Sequence, residues 1–155
     1  MIDRSGSMEH QRSLVVAKRE LLNSVDELGE ECEYAVVFYD TKAVFADEAS
    51  LKPATREHQS RLRVKLDSIE PDGGTDHKVA LLAAFRLKPE VVFFLTDADA
   101  MTDLDADELR AAAGPVRVHA VEFGVGPAIV SSAPLKRLAV STGGLYRYLD
   151  VTTFR

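Results

Sequence analysis

Three short segments of the chain carry closely spaced hydroxyl and carboxylate side chains. They are a D-x-S-x-S segment, a Gly-Gly-Thr segment and a Leu-Thr-Asp segment, and their oxygen-bearing residues are Asp3, Ser5, Ser7, Thr75 and Asp97. Oxygen donors without an accompanying histidine or cysteine are hard ligands, which suit Mg²⁺, Mn²⁺ or Ca²⁺. The residue types therefore predict a divalent-cation site, provided that the fold brings the three segments together.

The elements around these segments indicate an α/β fold. Apolar runs of strand length predict strands at residues 33–39, 42–45, 90–96, 116–123 and 145–149. Apolar residues at helical spacing predict helices at residues 11–28, 55–69, 75–83, 105–113 and 134–142. This alternation is typical of a sheet covered by helices on both faces. Ligands bind at the carboxyl ends of the strands in such sheets, where loops 3–8, 70–76 and 97–103 are expected.

The composition indicates one acidic domain and excludes several classes of protein. The chain has 155 residues, and 19 Lys and Arg against 25 Asp and Glu give a formal charge of −6. The acidic balance argues against nucleic-acid binding. Cys32 is the only cysteine, which excludes an internal disulfide and a four-cysteine zinc site. We expect no signal peptide or membrane span in this chain. A longer protein that contains it could still be membrane-associated or extracytoplasmic.

In this order the three motifs resemble those of the von Willebrand factor A (vWA) domain, where they form the metal-ion-dependent adhesion site (MIDAS). The resemblance covers nearly the whole chain and includes Phe123 and Gly124 after a strand and a Gly-Gly-x-Tyr segment before the last strand. It implies a single domain over residues 1–155 with a three-layer, Rossmann-like fold. In that fold a mostly parallel central sheet has one antiparallel edge strand and helices on both faces.

The resemblance also implies a role for each candidate residue. Ser5, Ser7 and Thr75 would give hydroxyl oxygens directly to the metal, whereas Asp3 and Asp97 would contact it or stand just behind its direct ligands. Two carboxylates balance the charge of Mg²⁺ (or Mn²⁺ or Ca²⁺), and an exchangeable coordination position then attracts an exposed Asp or Glu of a protein partner. We therefore expect a non-catalytic adhesion or assembly module within a larger protein or complex. The short loops and the lack of cysteine pairs favour a bacterial source.

The start of the chain departs from the family pattern. Only Met1 and Ile2 precede Asp3, where the family has a full apolar strand at the centre of the sheet. Our hypothesis is that the chain is an N-terminally truncated fragment, or a reading frame that begins at an internal Met. Without this strand we expect a split sheet, with the backbone groups of both neighbours unpaired or paired with each other.

Two other interpretations of the motifs remain. In the first, the D-x-S-x-S segment caps a helix, because Ser and Asp favour N-caps and Gly6 suits a turn. In the second, VVFFLTDADAM resembles the first motif of haloacid-dehalogenase-type phosphohydrolases. The chain would then be a Mg²⁺-dependent phosphohydrolase with Asp97 as nucleophile and Asp99 as acid/base. Met101 stands where that motif usually has Thr or Val, and the motif normally comes early in a chain.

The acid-rich run at residues 97–108 is predicted to bind no calcium. A calcium loop of EF-hand type needs Gly at its sixth position and Glu at its twelfth, and counting from Asp103 gives Glu108 and Gly114 there. We predict a solvated loop followed by an acidic helix N-terminus, which the helix dipole stabilises.

His77 follows the Gly-Gly-Thr segment, and we predict that it lies on a helix surface.

Overall fold

A six-stranded sheet lies at the centre of the computed structural model, which describes residues 1–98, 101–128 and 133–153, without the side chains of residues 10–12. The strands are β1 (Ile2–Asp3), β2 (Glu33–Tyr34), β3 (Val37–Tyr39), β4 (Ala43–Phe45), β5 (Lys52–Pro53), β6 (Val91–Thr96), β7 (Arg117–Gly124) and β8 (Tyr146–Asp150). The order in the main sheet is β4-β3-β1-β6-β7-β8, and only the edge strand β4 pairs antiparallel. This confirms the predicted mostly parallel sheet with one antiparallel edge strand.

Helices cover both faces of this sheet. They are 3-10 helices at Gly6–Arg12 and Val151–Thr153, and α-helices α1 (Ser13–Asp26), α2 (Arg56–Asp67), α3 (His77–Phe85), α4 (Asp103–Ala113) and α5 (Ala133–Ser141). One core joins the sheet to α3, α4 and α5, and a second core joins its other face to α1 and α2. Neighbouring strand residues alternate between the two cores, as Phe94 and Leu95 do, because successive strand side chains point to opposite faces. The predicted three-layer α/β fold is confirmed.

Strand β1 is short, but it occupies the centre of the sheet. Ile2 aligns with Phe38 of β3 on one side and with Leu95 of β6 on the other, and both pairings are parallel. The amide of Leu95 also donates to the Met1 carbonyl at 3.0 Å. The expected split sheet is therefore wrong, because these few residues hydrogen-bond to both neighbouring strands. Ile2 and Asp3 are fully buried between them.

The predicted strand at residues 33–39 is interrupted. Its first part, β2, pairs antiparallel with β5 in a separate two-stranded sheet, and only β3 joins the main sheet. At the break, the Val36 carbonyl accepts a hydrogen bond from the amide of Ala46 at 2.8 Å.

Within the described residues, no helix is both long enough and apolar enough to cross a membrane.

Candidate metal-binding site

The three oxygen-rich segments lie at the carboxyl ends of neighbouring strands. Asp3 is the last residue of β1, and Asp97 follows the last residue of β6 directly. Ser5 lies in the turn after β1, Ser7 lies in the 3-10 helix that follows this turn, and Thr75 lies in the loop that leads into α3. Since β1 pairs with β6, the first and third segments are adjacent at one edge of the sheet.

Asp3 is fully buried and is held by three hydrogen-bond donors. Its Oδ1 atom accepts from the amide of Ser5 at 2.8 Å, and its Oδ2 atom accepts from the hydroxyls of Thr96 at 2.7 Å and Tyr39 at 3.2 Å. All three donors are neutral, and among the described side chains Asp3 forms no ion pair. Buried carboxylates in proteins are normally paired with a cation or coordinate a metal. The environment of Asp3 therefore fits a cation nearby.

The hydroxyls of Ser5 and Ser7 are in contact, with 3.0 Å between their oxygens. Ser5 is buried and Ser7 is half-buried, so the pair lies between the buried carboxylate and the surface. The turn is closed by the Met8 amide, which donates to the Ser5 carbonyl at 3.0 Å. Asp3 orders the start of this turn by accepting from the amide of Ser5, two residues further on. That role leaves two hydroxyl oxygens side by side, an arrangement that suits a hard cation.

The loop at residues 70–76 is fastened to the turn by backbone hydrogen bonds. The amide of Gly6 donates to the Gly73 carbonyl at 3.0 Å, and the amide of Asp72 donates to the Arg4 carbonyl at 2.8 Å. Gly73 has a φ of +74°, a left-handed conformation that glycine adopts without strain. The left-handed backbone explains the first glycine of the Gly-Gly pair, which directly precedes Thr75.

Thr75 itself is half-buried and precedes a capped helix start. Asp76 is the N-cap of α3, and its side chain accepts from the Val79 amide at 2.9 Å. The amide of Asp76 donates to the Asp40 carbonyl at 2.8 Å, which joins the start of α3 to the end of β3. The helix start predicted at residues 75–76 is confirmed, and the position of Thr75 is set by the bonds on either side of it.

An ion pair between Arg4 and Asp40 holds the first loop against the end of β3. The amide of Arg4 also donates to the Tyr39 carbonyl at 2.8 Å. Partial burial acts to raise the pKa of the Asp40 carboxyl. The Lys42 amide, 2.9 Å away, and the Arg4 guanidinium outweigh this effect, so the pKa lies below its ordinary value. Asp40 is therefore charged at neutral pH and acts as a structural anchor beside the site.

Tyr39 and His77 form a buried polar pair behind Asp3. The Tyr39 hydroxyl lies 2.9 Å from Nδ1 of His77, and the Tyr39 ring stacks on Phe94 with 5.6 Å between ring centroids. Burial, and then the negative charge of Asp3, raise the pKa of Tyr39 well above its ordinary value, so the phenol stays neutral. The predicted helix-surface position of His77 is wrong, because the first turn of α3 faces the core, where the imidazole packs edge-on against both aromatic rings.

The sequence contains only faint signals for Tyr39, His77 and Thr96, which were not among the predicted site residues. Tyr39 ends an apolar run directly before Asp40, and Thr96 ends the apolar strand β6 directly before Asp97. A hydrogen-bonding side chain at the last position of a buried strand lies next to the loops where ligands bind. The last position of a buried strand was therefore the sequence signal that could have identified Tyr39 and Thr96.

Asp97 is half-buried at the turn that follows β6. The amide of the next residue, Ala98, donates to the Thr96 hydroxyl at 2.9 Å, and Ala98 has a φ of +57°. Asp99, the second residue of the phosphohydrolase interpretation, lies outside the described residues. Where the structure is described, no three His, Cys, Asp or Glu side chains cluster around a metal-sized point. A cation at this edge would therefore depend on hydroxyl oxygens as well as on carboxylates.

Comparisons with known proteins point in the same direction. The family model of the von Willebrand factor type A domain matches residues 1–148. Human inter-alpha-trypsin inhibitor heavy chain H4 is 28% identical over an alignment of 166 positions, which covers 95% of this chain and 17% of the relative.

Solved structures share the fold. A von Willebrand factor type A protein from Catenulispora acidiphila has a TM-score of 0.82 and 21% identity over 97% of this chain and 38% of its own. Proximal thread matrix protein 1 from the mussel byssus, with a zinc-occupied MIDAS motif, has a TM-score of 0.63 and 17% identity over 98% of this chain and 41% of its own. The chain thus spans less than half the length of each of these relatives.

Proposed function

The chain belongs to the von Willebrand factor type A domain family, and we propose that it is a divalent-cation-dependent protein-interaction module. The observation that carries this proposal is the environment of Asp3. A fully buried carboxylate with three neutral donors lies beside the contacting hydroxyls of Ser5 and Ser7 at the carboxyl edge of the sheet. A divalent cation at the serine hydroxyls supplies the positive charge that this carboxylate otherwise lacks.

We assign the direct contacts with the cation to the hydroxyls of Ser5, Ser7 and Thr75. Asp3 and Asp97 contribute the negative charge, either in contact with the ion or through its waters. The ion is Mg²⁺, with Mn²⁺ or Ca²⁺ as alternatives, because all five donors are oxygens. The zinc-occupied MIDAS motif of the mussel protein supports a divalent cation at this edge of the fold.

The proposed partner is a protein that presents an exposed Asp or Glu. Neutral hydroxyl ligands leave the cation short of negative charge, and Mg²⁺ keeps exchangeable waters in its octahedral shell. A partner carboxylate that replaces one of these waters gives the ion a negatively charged ligand in direct contact, in addition to the charge of Asp3 and Asp97. The chain matches only a part of the human inter-alpha-trypsin inhibitor heavy chain, which favours a role as one module of a larger assembly. We propose no catalytic role for the ion.

Calorimetric titration with Mg²⁺ and Mn²⁺ tests the site. Wild type should bind one ion, and Asp3→Ala and Asp97→Ala should each weaken binding by at least about tenfold, as loss of a group that supports a metal does. Asp107→Ala is the matched control, because Asp107 is an exposed acid on α4 that pairs with Arg137 of α5. Binding that is unchanged in both site variants would contradict the assignment.

The carboxylate arm of the proposal needs a separate measurement. Water-proton relaxation of the Mn²⁺-loaded protein should fall when glutarate is added, because a carboxylate displaces a coordinated water. Glutarate should not bind to the protein after EDTA has removed the Mn²⁺. Relaxation that does not change at glutarate concentrations sufficient to saturate a weak site would exclude carboxylate coordination while leaving the metal site intact.

A further inference from the structure

We propose that Tyr39 is a positioning residue for the metal site and that His77 sets the direction of its hydroxyl hydrogen bond. This inference rests on the proposed function and extends it to two residues that contact no ligand. Its starting point is the continuous set of contacts from His77 Nδ1 to Tyr39 Oη at 2.9 Å and from Tyr39 Oη to Asp3 Oδ2 at 3.2 Å.

The number of available hydrogens determines which group donates in each of these two contacts. The Tyr39 hydroxyl has one hydrogen, so it donates to either His77 or Asp3, not to both. An ionised Asp3 can only accept, so the Tyr39 hydrogen satisfies the carboxylate. The contact with His77 is then a hydrogen bond only if Nδ1 carries a hydrogen and donates to the Tyr39 oxygen. The geometry therefore assigns the Nδ1–H form to His77.

The surroundings of the pair restrict other arrangements. Tyr39 and His77 are both buried, and the aromatic ring of Phe94 packs against both, with ring centroids 5.6 and 5.8 Å away respectively. Rotation of either ring would break these contacts, so the Tyr39 oxygen stays between His77 and Asp3. Thr96, from the opposite neighbouring strand, donates to the same Oδ2 atom at 2.7 Å.

The consequence concerns which oxygen of Asp3 faces the ion. The Oδ2 atom accepts two hydroxyl hydrogens and has no acceptor position left, because each carboxylate oxygen offers about two. Among the described residues, the Oδ1 atom accepts only from the Ser5 amide, so one of its acceptor positions stays unused. Tyr39 and Thr96 thus fix the carboxylate so that Oδ1 supports the cation or one of its waters.

Two variants separate positioning from general stability. Tyr39→Phe removes the hydroxyl and keeps the ring. Tyr146→Phe is the matched control, because its hydroxyl also donates to a carboxylate, that of Glu122 at 2.7 Å, on strands that do not include β1. Each variant loses a tyrosine–carboxylate bond, so a role in stability alone predicts no loss of Mn²⁺ affinity in either variant.

The experiment measures Mn²⁺ affinity and the His77 tautomer together. Tyr39→Phe should weaken Mn²⁺ binding by about 10- to 100-fold, the range found for groups that orient metal ligands. Tyr146→Phe should stay within about twofold of wild type, as expected for a distant site. Long-range ¹H–¹⁵N spectra should show Nδ1 of His77 protonated in metal-free wild type, with both ring signals shifted in Tyr39→Phe. The Tyr39→Phe and Asp3→Asn losses should be non-additive in the double variant.

The outcomes separate this inference from the proposed function. Equal Mn²⁺ affinities for the two Tyr→Phe variants, or a His77 with a bare Nδ1 atom in wild type, would overturn the positioning role while wild type still binds the ion. Wild type that binds no Mn²⁺, with the expected His77 tautomer, would instead refute the proposed function and with it the role of Tyr39 at a metal. In that case the hydrogen bonds from His77 through Tyr39 to Asp3 would have a structural role only.

Discussion

Asp3 and the acidic residues at the start of α4 carry the same charge in opposite environments. Asp3 is fully buried, and all of its hydrogen-bond donors in the described part of the chain are neutral. The side chains of Asp103 and Asp107 are 74% and 70% exposed, and Arg137 pairs with both at 3.2 and 3.1 Å. Water and an arginine therefore already balance the α4 acids, whereas the charge of Asp3 is available to an added cation.

The third acid of this helix start caps its own helix. Asp105 forms a capping box with Thr102, in which the Thr102 hydroxyl accepts from the Asp105 amide at 3.1 Å and the Asp105 carboxylate accepts from the Thr102 amide at 3.0 Å. The predicted acidic helix N-terminus is confirmed. The number of acids in a segment therefore does not by itself indicate a cation site, and burial without a countercharge is the property that distinguishes Asp3 from the α4 acids.

The largest expected effect is a cation-linked stabilisation that depends on Asp3. An ion that binds only the folded state at 100 times its Kd adds about 2.7 kcal/mol, and in a chain of this size each kcal/mol raises Tm by about 2–4 °C. Mg²⁺ should therefore raise the Tm of wild type by about 5–10 °C and should not raise that of Asp3→Asn. Calorimetric melting with and without EDTA measures both shifts.

Asp107→Asn provides the counterpart on α4. Its Mg²⁺-dependent shift should equal that of wild type, because its carboxylate is exposed and paired. An Asp3→Asn protein that keeps the full Mg²⁺ shift, or an Asp107→Asn protein that loses it, would break the distinction between the two regions.

A smaller effect is expected for Asp40, which anchors the loop of the site without contacting the proposed ligands. Asp40→Asn removes the negative partner of a partly buried Arg4, and we expect a loss of about 1–3 kcal/mol at neutral pH. Because folding lowers the pKa of Asp40, this stabilisation is fully present above the ordinary pKa of 3.8 and is lost as the pH falls through the lower, folded pKa. Urea unfolding of both proteins between pH 7 and pH 2.5 measures the difference.

The direction of the pH dependence is the decisive part of this test. The difference between wild type and Asp40→Asn should shrink below pH 3.8 and should not change between pH 5 and pH 7. A difference that grows as the pH falls would mean that another group, and not the Asp40 carboxylate, provides the stabilisation.

The sequence predicts the local elements well because each has a local cause. The apolar strand β6, the Asp76 helix start and the Gly-Gly loop all follow from neighbouring residues, and the structure confirms them. The metal-binding roles of Asp3 and Thr75 rest on the family motif and remain predictions. A motif of alternating oxygen donors shows which groups are present, and it contains no information on their hydrogen-bond partners.

The features that the sequence could not predict depend on contacts between distant segments. Tyr39 and His77 are 38 positions apart, and Asp3 and Thr96 are 93 positions apart, so only the sheet order brings them together. The pairing of β1 with both neighbours is also a tertiary effect, because two strand residues are too few to show a pattern. The interruption at Val36 arises in the same way, from pairing with distant residues.

The capping box tests the local role of the α4 acids. Thr102→Ala removes the hydroxyl that accepts from the Asp105 amide, and loss of such a cap costs about 1 kcal/mol. Thermal or urea unfolding should show this loss, and Mg²⁺ affinity should equal that of wild type. A weakened Mg²⁺ affinity would mean that the start of α4 contributes to the cation site, and the two acidic regions would then have to be treated as one.

The smallest effect is expected for Arg137, the cation that already balances the α4 acids. Arg137→Ala removes two exposed ion pairs, with Asp103 and Asp107, and exposed pairs contribute about 0–1 kcal/mol because water screens them. The loss should diminish further at 1 M salt, where the screening length falls to about 3 Å. Urea unfolding at low and high salt measures it. A contrary result would be a Mg²⁺-dependent stabilisation of Arg137→Ala that disappears when Asp107→Asn is added. Loss of the countercharge alone would then be sufficient to make a cation site, and the burial of Asp3 would not be required. We expect no such stabilisation, because exposed carboxylates without fixed hydroxyl ligands gain little from replacing water around the ion.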